Sequence, residues 1–520
     1  MLEGRTLWEL VEKRAEATPD ARLIVDERGE SVTFSEFKAR AERTAAGLVA
    51  MGVHEGTVVS WQLPSWNASI VLAAALSRVG AVQNPILPIY REREVGFIVR
   101  QARSSLLFVP TEFRGFDFSV MARTIADDVE GLSVKVCDRD VGEYDPIGRT
   151  LPEGDPLALD PPPDPNAEPP VRWLFYTSGT TADPKGAQHT DATVAAAARG
   201  MCERLGLTPE DRHSLVFPFT HIGGIIWLFS GLQSGCTNIV DEAFNPDTTI
   251  PLLKREGVTL AGSGTFFHLA YLKAQRENPG EALFPNVRCC PGGGAPKPPQ
   301  LHYDMKKEIG GAGIVSGYGL TESPILTMAK FDDPDEALAN TEGSAMRGVE
   351  LRVVTLEGKV GGIGEEGEIR AKAPQMMKGY LDSSLDAEAF DEDGWFRTGD
   401  LGRIDGDGNV TITGRLKDII IRKGENISAK EVEDLLFTHP KVADAAVIGL
   451  PDPSSGERAC AVIALKDAKD PLSLEDMGSF LKEKGLRVQA IPEQLEIVDV
   501  LPRNPSGKVL KQDLRKTYGS

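Results

Sequence analysis

Cysteine is scarce, with six residues in a chain of 520 and none in a C-x-x-C pair. That usage offers no disulfide framework and suits reduced thiols in a cytosolic, hence cytoplasmic, protein. The adjacent Cys289-Cys290 leaves two readings open, a redox-active pair or two small buried apolar residues. Long apolar runs are missing as well. The best, Ile70–Leu76 and Ile225–Phe229, fall well short of the roughly 18 residues a membrane helix needs. The opening Met1-Leu2-Glu3-Gly4-Arg5 has no basic region leading into an apolar stretch, which argues against a secretory signal. Positive charge is in deficit: 57 Lys and Arg against 77 Asp and Glu give a formal charge of −20. That argues against broad binding of nucleic acid or an anionic membrane, both of which need a positive field. If the substrate is an anion, the site must build its own local positive charge.

At roughly 150 residues per domain, the length predicts about three to four structural units. Along the first 110 residues helical patterns alternate with short apolar runs. Leu7, Val11 and Ala15 share a helical face, and Val32-Thr33-Phe34-Ser35-Glu36 reads as a strand end entering a capped helix. A strand at 57–64, a helix at 65–79 with Gly80 as its cap, and an apolar run at 81–87 predict β-α-β units around a parallel sheet. Eight prolines between Leu151 and Pro170 mark a surface connector. The texture changes again near Gly414. Short β-like pieces precede it, and about 100 residues of compact α+β pattern follow, with a capped helix at 428–438, strands at 445–448 and 459–465, and a helix at 474–484. The expected architecture is α/β: a large N-terminal body of α/β subdomains plus a β-rich subdomain (1–414), a hinge (415–418) and a small mobile α+β C-terminal domain (419–520).

Four segments carry candidate chemistry. Tyr176-Thr177-Ser178-Gly179-Thr180-Thr181-Ala182-Asp183-Pro184-Lys185-Gly186 follows a predicted strand. Its glycines admit close backbone approach, its N–H and hydroxyl groups can nest phosphate oxygens, and Lys185 adds a point charge. It lacks the Walker A order, and a plain loop is the alternative. In Gly317-Tyr318-Gly319-Leu320-Thr321-Glu322-Ser323, Tyr318 offers a stacking face, Thr321 a hydroxyl, and Glu322 a hard oxygen for Mg²⁺. The alternative is a turn with Thr321 capping a following helix. Arg397-Thr398-Gly399-Asp400 presents a carboxylate that could accept from both hydroxyls of a ribose, or simply sit in a turn. Finally, Pro502-Arg503-Asn504-Pro505-Ser506-Gly507-Lys508 places a lysine where a solvated tail is the ordinary reading.

The order and spacing of these segments, over nearly the whole chain, resemble the adenylate-forming superfamily of acyl-CoA synthetases, non-ribosomal adenylation domains and beetle luciferases. Tyr176–Gly186 resembles its phosphate loop. Phe217-Pro218-Phe219-Thr220-His221-Ile222-Gly223-Gly224 resembles its acyl-pocket motif, and Gly292-Gly293-Gly294-Ala295-Pro296 its adenine wall. The resemblance implies ATP contacts from Thr177, Ser178, Gly179, Thr180, Thr181, Lys185, Gly294, Ala295, Pro296, Ser316, Gly317, Tyr318 and Gly319. It also implies a ribose pair at Asp400 and Arg415, Mg²⁺ on Glu322, the α-phosphate on Thr321, and a hinge at Lys417. Lys508 would be the lysine of the adenylating step, and Lys423-Gly424 would face coenzyme A. Departures are Ala182 for a usual Gly, Ala429 for Pro and Ala490 for Lys; none falls on a group assigned to chemistry.

Two half-reactions follow from the resemblance: a carboxylate and ATP give an acyl-adenylate and pyrophosphate, then a thiol displaces AMP. Two anions must meet, so the barrier is electrostatic and positional. Because the sequence carries no carrier-protein module after Lys508, free coenzyme A is the expected acceptor; an adenylation enzyme serving a separate carrier protein and a luciferase-like monooxygenase stay open. The acyl pocket is expected from His221, Ile225, Trp227, Gly264, Gly292 and Gly317. Its lining is small and mostly apolar, and Gly262-Ser263-Gly264 stands where the family commonly has a bulkier Val-Pro. That suits a medium-chain, alicyclic, aryl or steroid-derived acid. The segment 84–94 resembles ligases of cyclohexanecarboxylate and related acids. His221 either gates the pocket or is a packed histidine. Expected partners are thus the acid, ATP and coenzyme A, with no nucleic acid or integral membrane association; a homo-oligomer is left open.

Overall fold

Thr33 accepts a hydrogen bond from the Glu36 N–H while the Glu36 carboxylate accepts from the Thr33 N–H, a capping box that starts the helix Phe34–Ala50. Similar local signals start Leu7–Ala17 under Thr6, Ala429–Leu436 under Ser428 and Leu474–Glu483 under Ser473. Gly80, in the left-handed region at φ 80°, ends the helix Asn67–Val79 where the sequence placed a cap. The computed structural model describes residues 1–140, 148–177, 183–295, 297–422, 425–504 and 507–519.

The strands Val58–Trp61 and Val82–Pro85, joined by Asn67–Val79, are parallel neighbours, the β-α-β unit expected. They lie in a six-stranded sheet with Leu106–Val109, Ser133–Val136 and Trp173–Thr177, all parallel; Lys185–His189 closes one edge antiparallel to Trp173–Thr177. In a second sheet Arg212–Leu215, Thr237–Val240 and Arg22–Asp26 run parallel. Bridges from His213 to Leu260 and from Leu260 to Cys289 connect it to Cys290–Gly292 and Ile314–Tyr318, which are parallel to each other. Helices cover these sheets, and one continuous apolar core runs between them. The carboxyl ends of parallel strands, at Thr177, Gly292 and Tyr318, are where open α/β sheets place ligands.

A four-stranded antiparallel sheet, Glu350–Val354, Gly367–Lys372, Phe396–Ile404 and Val410–Arg415, forms the β-rich part. One 3₁₀ turn, Leu416–Asp418, separates it from a last sheet built from Ile419–Arg422, Glu425–Ser428, Val442–Asp452, Gly456–Leu465 and Gln494–Val498. That sheet is served by two apolar cores drawn entirely from residues beyond 419. The hairpin Val442–Asp452 and Gly456–Leu465 is longer than the sequence pattern indicated. The strands pair with each other through polar positions as far as Asp452 and Gly456, where apolar alternation gives no signal. The proline-rich connector holds only the 3₁₀ turn Pro156–Ala158.

All six cysteines are free and buried. Burial pushes the Cys289 thiol up to about 12 and that of Cys290 well above its ordinary value, so both stay protonated and serve as small apolar residues. Among the described residues no helix is long and apolar enough to cross a membrane.

Candidate active site

The strand Ile314–Tyr318 delivers Tyr318 to the body's surface, where its hydroxyl donates to Asp400 Oδ2 at 2.8 Å. Asp400 is buried on Phe396–Ile404 and faces Arg415 across the ladder; Arg415 Nε meets Asp400 Oδ1 at 2.9 Å. Antiparallel register thus brings together two residues fifteen positions apart. Each oxygen of Asp400 takes one donor and keeps a lone pair, which leaves room for the vicinal hydroxyls of a ribose.

The segment after Tyr318 is an irregular turn, with no helix after Thr321. It is pinned from two sides. His189 Nε2 donates to the Thr321 carbonyl at 2.9 Å, and its Nδ1 lies 3.0 Å from Thr193 Oγ1. A carbonyl partner fixes the ε-protonated tautomer, and complete burial holds the ring neutral with a pKa near 4. On the other side the Tyr380 hydroxyl donates to Glu322 Oε1 at 2.7 Å, and the Glu322 carbonyl accepts from Met377 N–H at 2.8 Å. The Tyr380 ring also lies under Lys185, with Nζ 5.5 Å from its centroid. Tyr380 itself is fixed by Asp386, which accepts its N–H at 2.9 Å, and by Gln188, which donates to its carbonyl at 3.0 Å. His189 and Tyr380 were not singled out from the sequence. Their partners lie 132 and 58 residues away, and no local pattern announces such a contact.

Thr177 and Lys185 sit opposite each other at the ends of paired strands, and Gly186 is packed so closely on the Tyr176 ring that a Cβ would stand 2.9 Å from it. Ser178, Gly179, Thr180 and Thr181 lie outside the described residues, as do Pro296 and the pair Lys423-Gly424. Gly294 and Ala295 follow Gly292 at the end of its strand; Gly319 is backed against Ile325, whose backbone N a Cβ would meet at 2.2 Å.

Lys508 is on a tight loop rather than a free tail. Asn504 and Lys508 exchange backbone and side-chain hydrogen bonds of 2.9 Å, and Arg503 pairs with Asp444 at 2.5 Å. Gly507, at φ 83°, rests against Phe266 on the helix Thr265–Glu277, with 2.9 Å from its would-be Cβ to Phe266 Cβ. The loop therefore reaches back onto the N-terminal body. There the Lys508 ammonium is pushed down to about 8, first by burial and then by Arg415 and Lys417, with Asp400 and Asp418 opposing. Lys417 lies in the 3₁₀ turn between sheets and is itself lowered, chiefly by burial.

Among the residues expected for the acyl pocket, the glycines approach one another closely. Gly264 backs on the Gly293 carbonyl, Gly293 on the Gly317 carbonyl, and Gly292 on Ser316. Ile225 and Trp227 line the helix Ile222–Ser234, which His221 caps by accepting the Gly223 N–H at 3.1 Å. Burial holds His221 neutral, with a pKa near 4. Two further histidines join them. His213 stacks on Trp227, with centroids 3.2 Å apart, and His268 stands against Gly292.

The donor set suits Mg²⁺. Glu322 supplies one hard carboxylate with Thr321 beside it, and no group of three His, Cys, Asp or Glu that could hold a metal ion occurs among the described residues. Mg²⁺ characteristically takes one or two carboxylates and completes its shell with water and substrate phosphates.

The model for AMP-binding enzymes matches residues 11–381, and that for the AMP-binding enzyme C-terminal domain matches residues 431–508. The chain belongs to the AMP-binding enzyme family. This AMP-binding enzyme is similar to the medium-chain fatty-acid–CoA ligase of Escherichia coli, with 33% identity over 97% of the chain and 89% of the relative. It is also similar to the salicyl-AMP ligase/salicyl-S-ArCP synthetase of Mycobacterium tuberculosis, with 31% identity over 99% of the chain and 91% of the relative. Among solved structures it resembles o-succinylbenzoate coenzyme A synthetase of Bacillus subtilis in complex with ATP and magnesium ion. The TM-score is 0.82, with 26% identity over 98% of this chain and 99% of that one.

Proposed function

We propose that this enzyme is an ATP-dependent carboxylic acid–CoA ligase acting on an apolar acid of medium-chain, alicyclic, aryl or steroid-derived type. In the first step a carboxylate oxygen of the acid attacks the α-phosphorus of ATP, the bond to the bridging oxygen breaks, and pyrophosphate leaves. In the second, the sulfur of coenzyme A attacks the acyl carbon and AMP departs with the bonding pair. The observation that carries the reading is the seating of the Lys508 loop on Phe266, beside the Asp400–Arg415 pair. An ammonium there stands between a carboxylate in the acyl site and the α-phosphate of a nucleotide whose ribose Asp400 holds. With Arg415 and Lys185 it supplies the local positive charge that a chain of net charge −20 must build at the site itself.

In this reading Thr321 holds the α-phosphate, and Thr177–Thr181 with Lys185 orient the departing pyrophosphate. Tyr318 stacks the adenine against the wall of Gly294, Ala295 and Pro296, with Ser316, Gly317 and Gly319 shaping its edge. Mg²⁺ on Glu322, when bound, offsets phosphate charge. We read 1–414 as the adenylating body, 415–418 as hinge and 419–520 as a lid. Separate apolar cores on either side of the 3₁₀ turn support this division. Rotation about Lys417 would withdraw Lys508 and bring Lys423-Gly424 to the site for the thiol. We read His221, which caps its helix, as the residue that gates the pocket between half-reactions.

Acid-dependent release of pyrophosphate from ATP, with and without coenzyme A, tests the proposal. Lys508→Ala is expected to lower adenylation by at least 100-fold yet leave thioester formation from a synthetic acyl-adenylate within a few-fold. Equal loss of both steps would refute the division of labour. The similarity to a salicyl-AMP ligase/salicyl-S-ArCP synthetase favours a second reading, loading of a carrier protein; thioester on a carrier but never on coenzyme A would select it.

A further inference from the structure

Ser428, which caps the helix Ala429–Leu436, donates its hydroxyl to the Thr413 carbonyl at 2.6 Å, and the helix lies against the body strand Val410–Arg415. The far end of that strand is tied to Lys297. The Glu342 N–H donates to the Val410 carbonyl at 2.7 Å, and Lys297 Nζ donates to the carbonyl of Thr341, the residue before Glu342, at 3.2 Å. Lys297 directly follows the expected adenine wall, Gly294 to Pro296. It is 6% exposed, and among the described residues that carbonyl is its one hydrogen-bond partner. A buried ammonium is ordinarily paired with a carboxylate, because one neutral acceptor replaces little of its hydration.

Charges reach Lys297 from both sides of the domain boundary. Burial, above all, pushes its pKa down; Glu342 on the body opposes this, the Lys430 ammonium reinforces it, and Asp434 opposes it. Lys430 and Asp434 are one turn apart on the docked helix and ion-paired with each other. Asp434 feels Lys297 in return: burial raises its carboxyl, while Lys430 and Lys297 pull it back. The other carboxylates of the helix do not replace it. Glu433 is engaged within its own domain, by Lys511 Nζ at 2.7 Å and the Val447 N–H at 2.7 Å, and Glu431 is exposed. With Asp434 neutral, Lys430 and Lys297 would be left opposed across the boundary, and like charges there disfavour docking.

Resting on the ligase reading above, we propose that Asp434 is a positioning residue for adenylation: its carboxylate offsets Lys430 and Lys297 where the lid helix meets the body, and so permits the pose in which Lys508 reaches the site. Asp434 touches neither ATP nor acid in this role. Its effect is confined to one pose. When the lid turns about the hinge, Lys430 and Asp434 travel with their helix while Lys297 stays beside the adenine wall. The two half-reactions therefore respond differently to its loss, since only the first needs the docked helix.

The test measures, in one preparation of the full-length enzyme, pyrophosphate release with acid and ATP and thioester formation from a synthetic acyl-adenylate and coenzyme A. A loss of folded protein lowers both rates equally and cancels from their ratio. Asp434→Asn is expected to cut the ratio of the first rate to the second at least tenfold. Adding Lys297→Met, which removes the opposed ammonium, should recover at least threefold of that loss. Lys297→Met alone leaves the Lys430–Asp434 pair intact and should hold the ratio within threefold or raise it. A ratio changed less than twofold by Asp434→Asn would overturn the inference, as would no recovery in the double variant; either result leaves the ligase reading standing. No pyrophosphate release from the unaltered enzyme with any acid in a broad screen would instead remove the ligase reading itself.

Discussion

In the reading proposed above, Lys508 serves adenylation only while charged, and it is held near a pKa of 8 in the free enzyme. The direction follows from the sign: a base whose pKa is lowered loses its proton earlier as pH rises. The kcat/KM for pyrophosphate release should therefore be level below about pH 7 and fall tenfold per unit above pH 8, since that ratio reports the free enzyme. Lys508→Arg, with a group that does not titrate in this range, should lower the ceiling but abolish the alkaline limb; a limb that persists would assign it to another group. Tyr380 is the other informative residue. It touches neither nucleotide nor acid in our reading but positions Glu322 through one 2.7 Å hydrogen bond and underlies Lys185. A hydrogen bond to a charged group contributes about 1.5–3 kcal/mol. Tyr380→Phe should accordingly raise the Mg²⁺ concentration needed for half-maximal ATP binding, measured calorimetrically, by roughly 10-fold or more. A general loss of folding would instead lower Tm and leave the Mg²⁺ dependence of the remaining activity unchanged.

At the scale of elements, the loop Arg503–Val509 and the helix Thr265–Glu277 form the contact that seats Lys508. Gly507 is required there twice over, by its φ of 83° and by the 2.9 Å to Phe266 Cβ. A side chain in the left-handed region costs about 1–2 kcal/mol, and the clash adds to it. Gly507→Val should lower adenylation at least 10-fold and spare thioester formation from the adenylate. Adding Phe266→Gly, which removes the Cβ that residue 507 would meet, should restore part of the loss, the part due to the clash; no recovery would mean the loop does not seat where the structure has it. The four glycine approaches at 264, 292, 293 and 317 act in the same way on the body side, drawing strand ends together so that backbone, not side chain, walls the acyl site of the proposed reading.

On the scale of the molecule, two bodies with separate apolar cores meet across the 3₁₀ turn Leu416–Asp418. The observed pose is held by the Gly507–Phe266 approach and by a polar contact across the turn that a rotation can exchange. Ser428 Oγ donates to the Thr413 carbonyl at 2.6 Å. If the second half-reaction needs rotation about Lys417, fixing φ there should separate the steps. Lys417→Pro is expected to keep pyrophosphate release within a few-fold and to reduce acyl-CoA formation at least 100-fold, followed as thioester by mass spectrometry. Equal retention of both steps would place the pivot elsewhere.

The sequence alone determined what is local. Caps at Thr33 and Ser428, the β-α-β unit around Asn67–Val79, the proline-rich connector and the ordered motifs from Tyr176 to Lys508 are written in contiguous residues, because hydrogen bonds to the nearest turn and loops that fit a phosphate need only neighbours. From the motifs came the family and the expected roles of Asp400, Arg415 and Lys508. Tertiary structure decided what depends on chain segments meeting. His189 and Tyr380 matter through partners far along the chain, and Lys508 is drawn out of solvent only because its loop folds back on Phe266. No pattern of residue types announces such contacts, because they exist only once distant segments have packed together and excluded water.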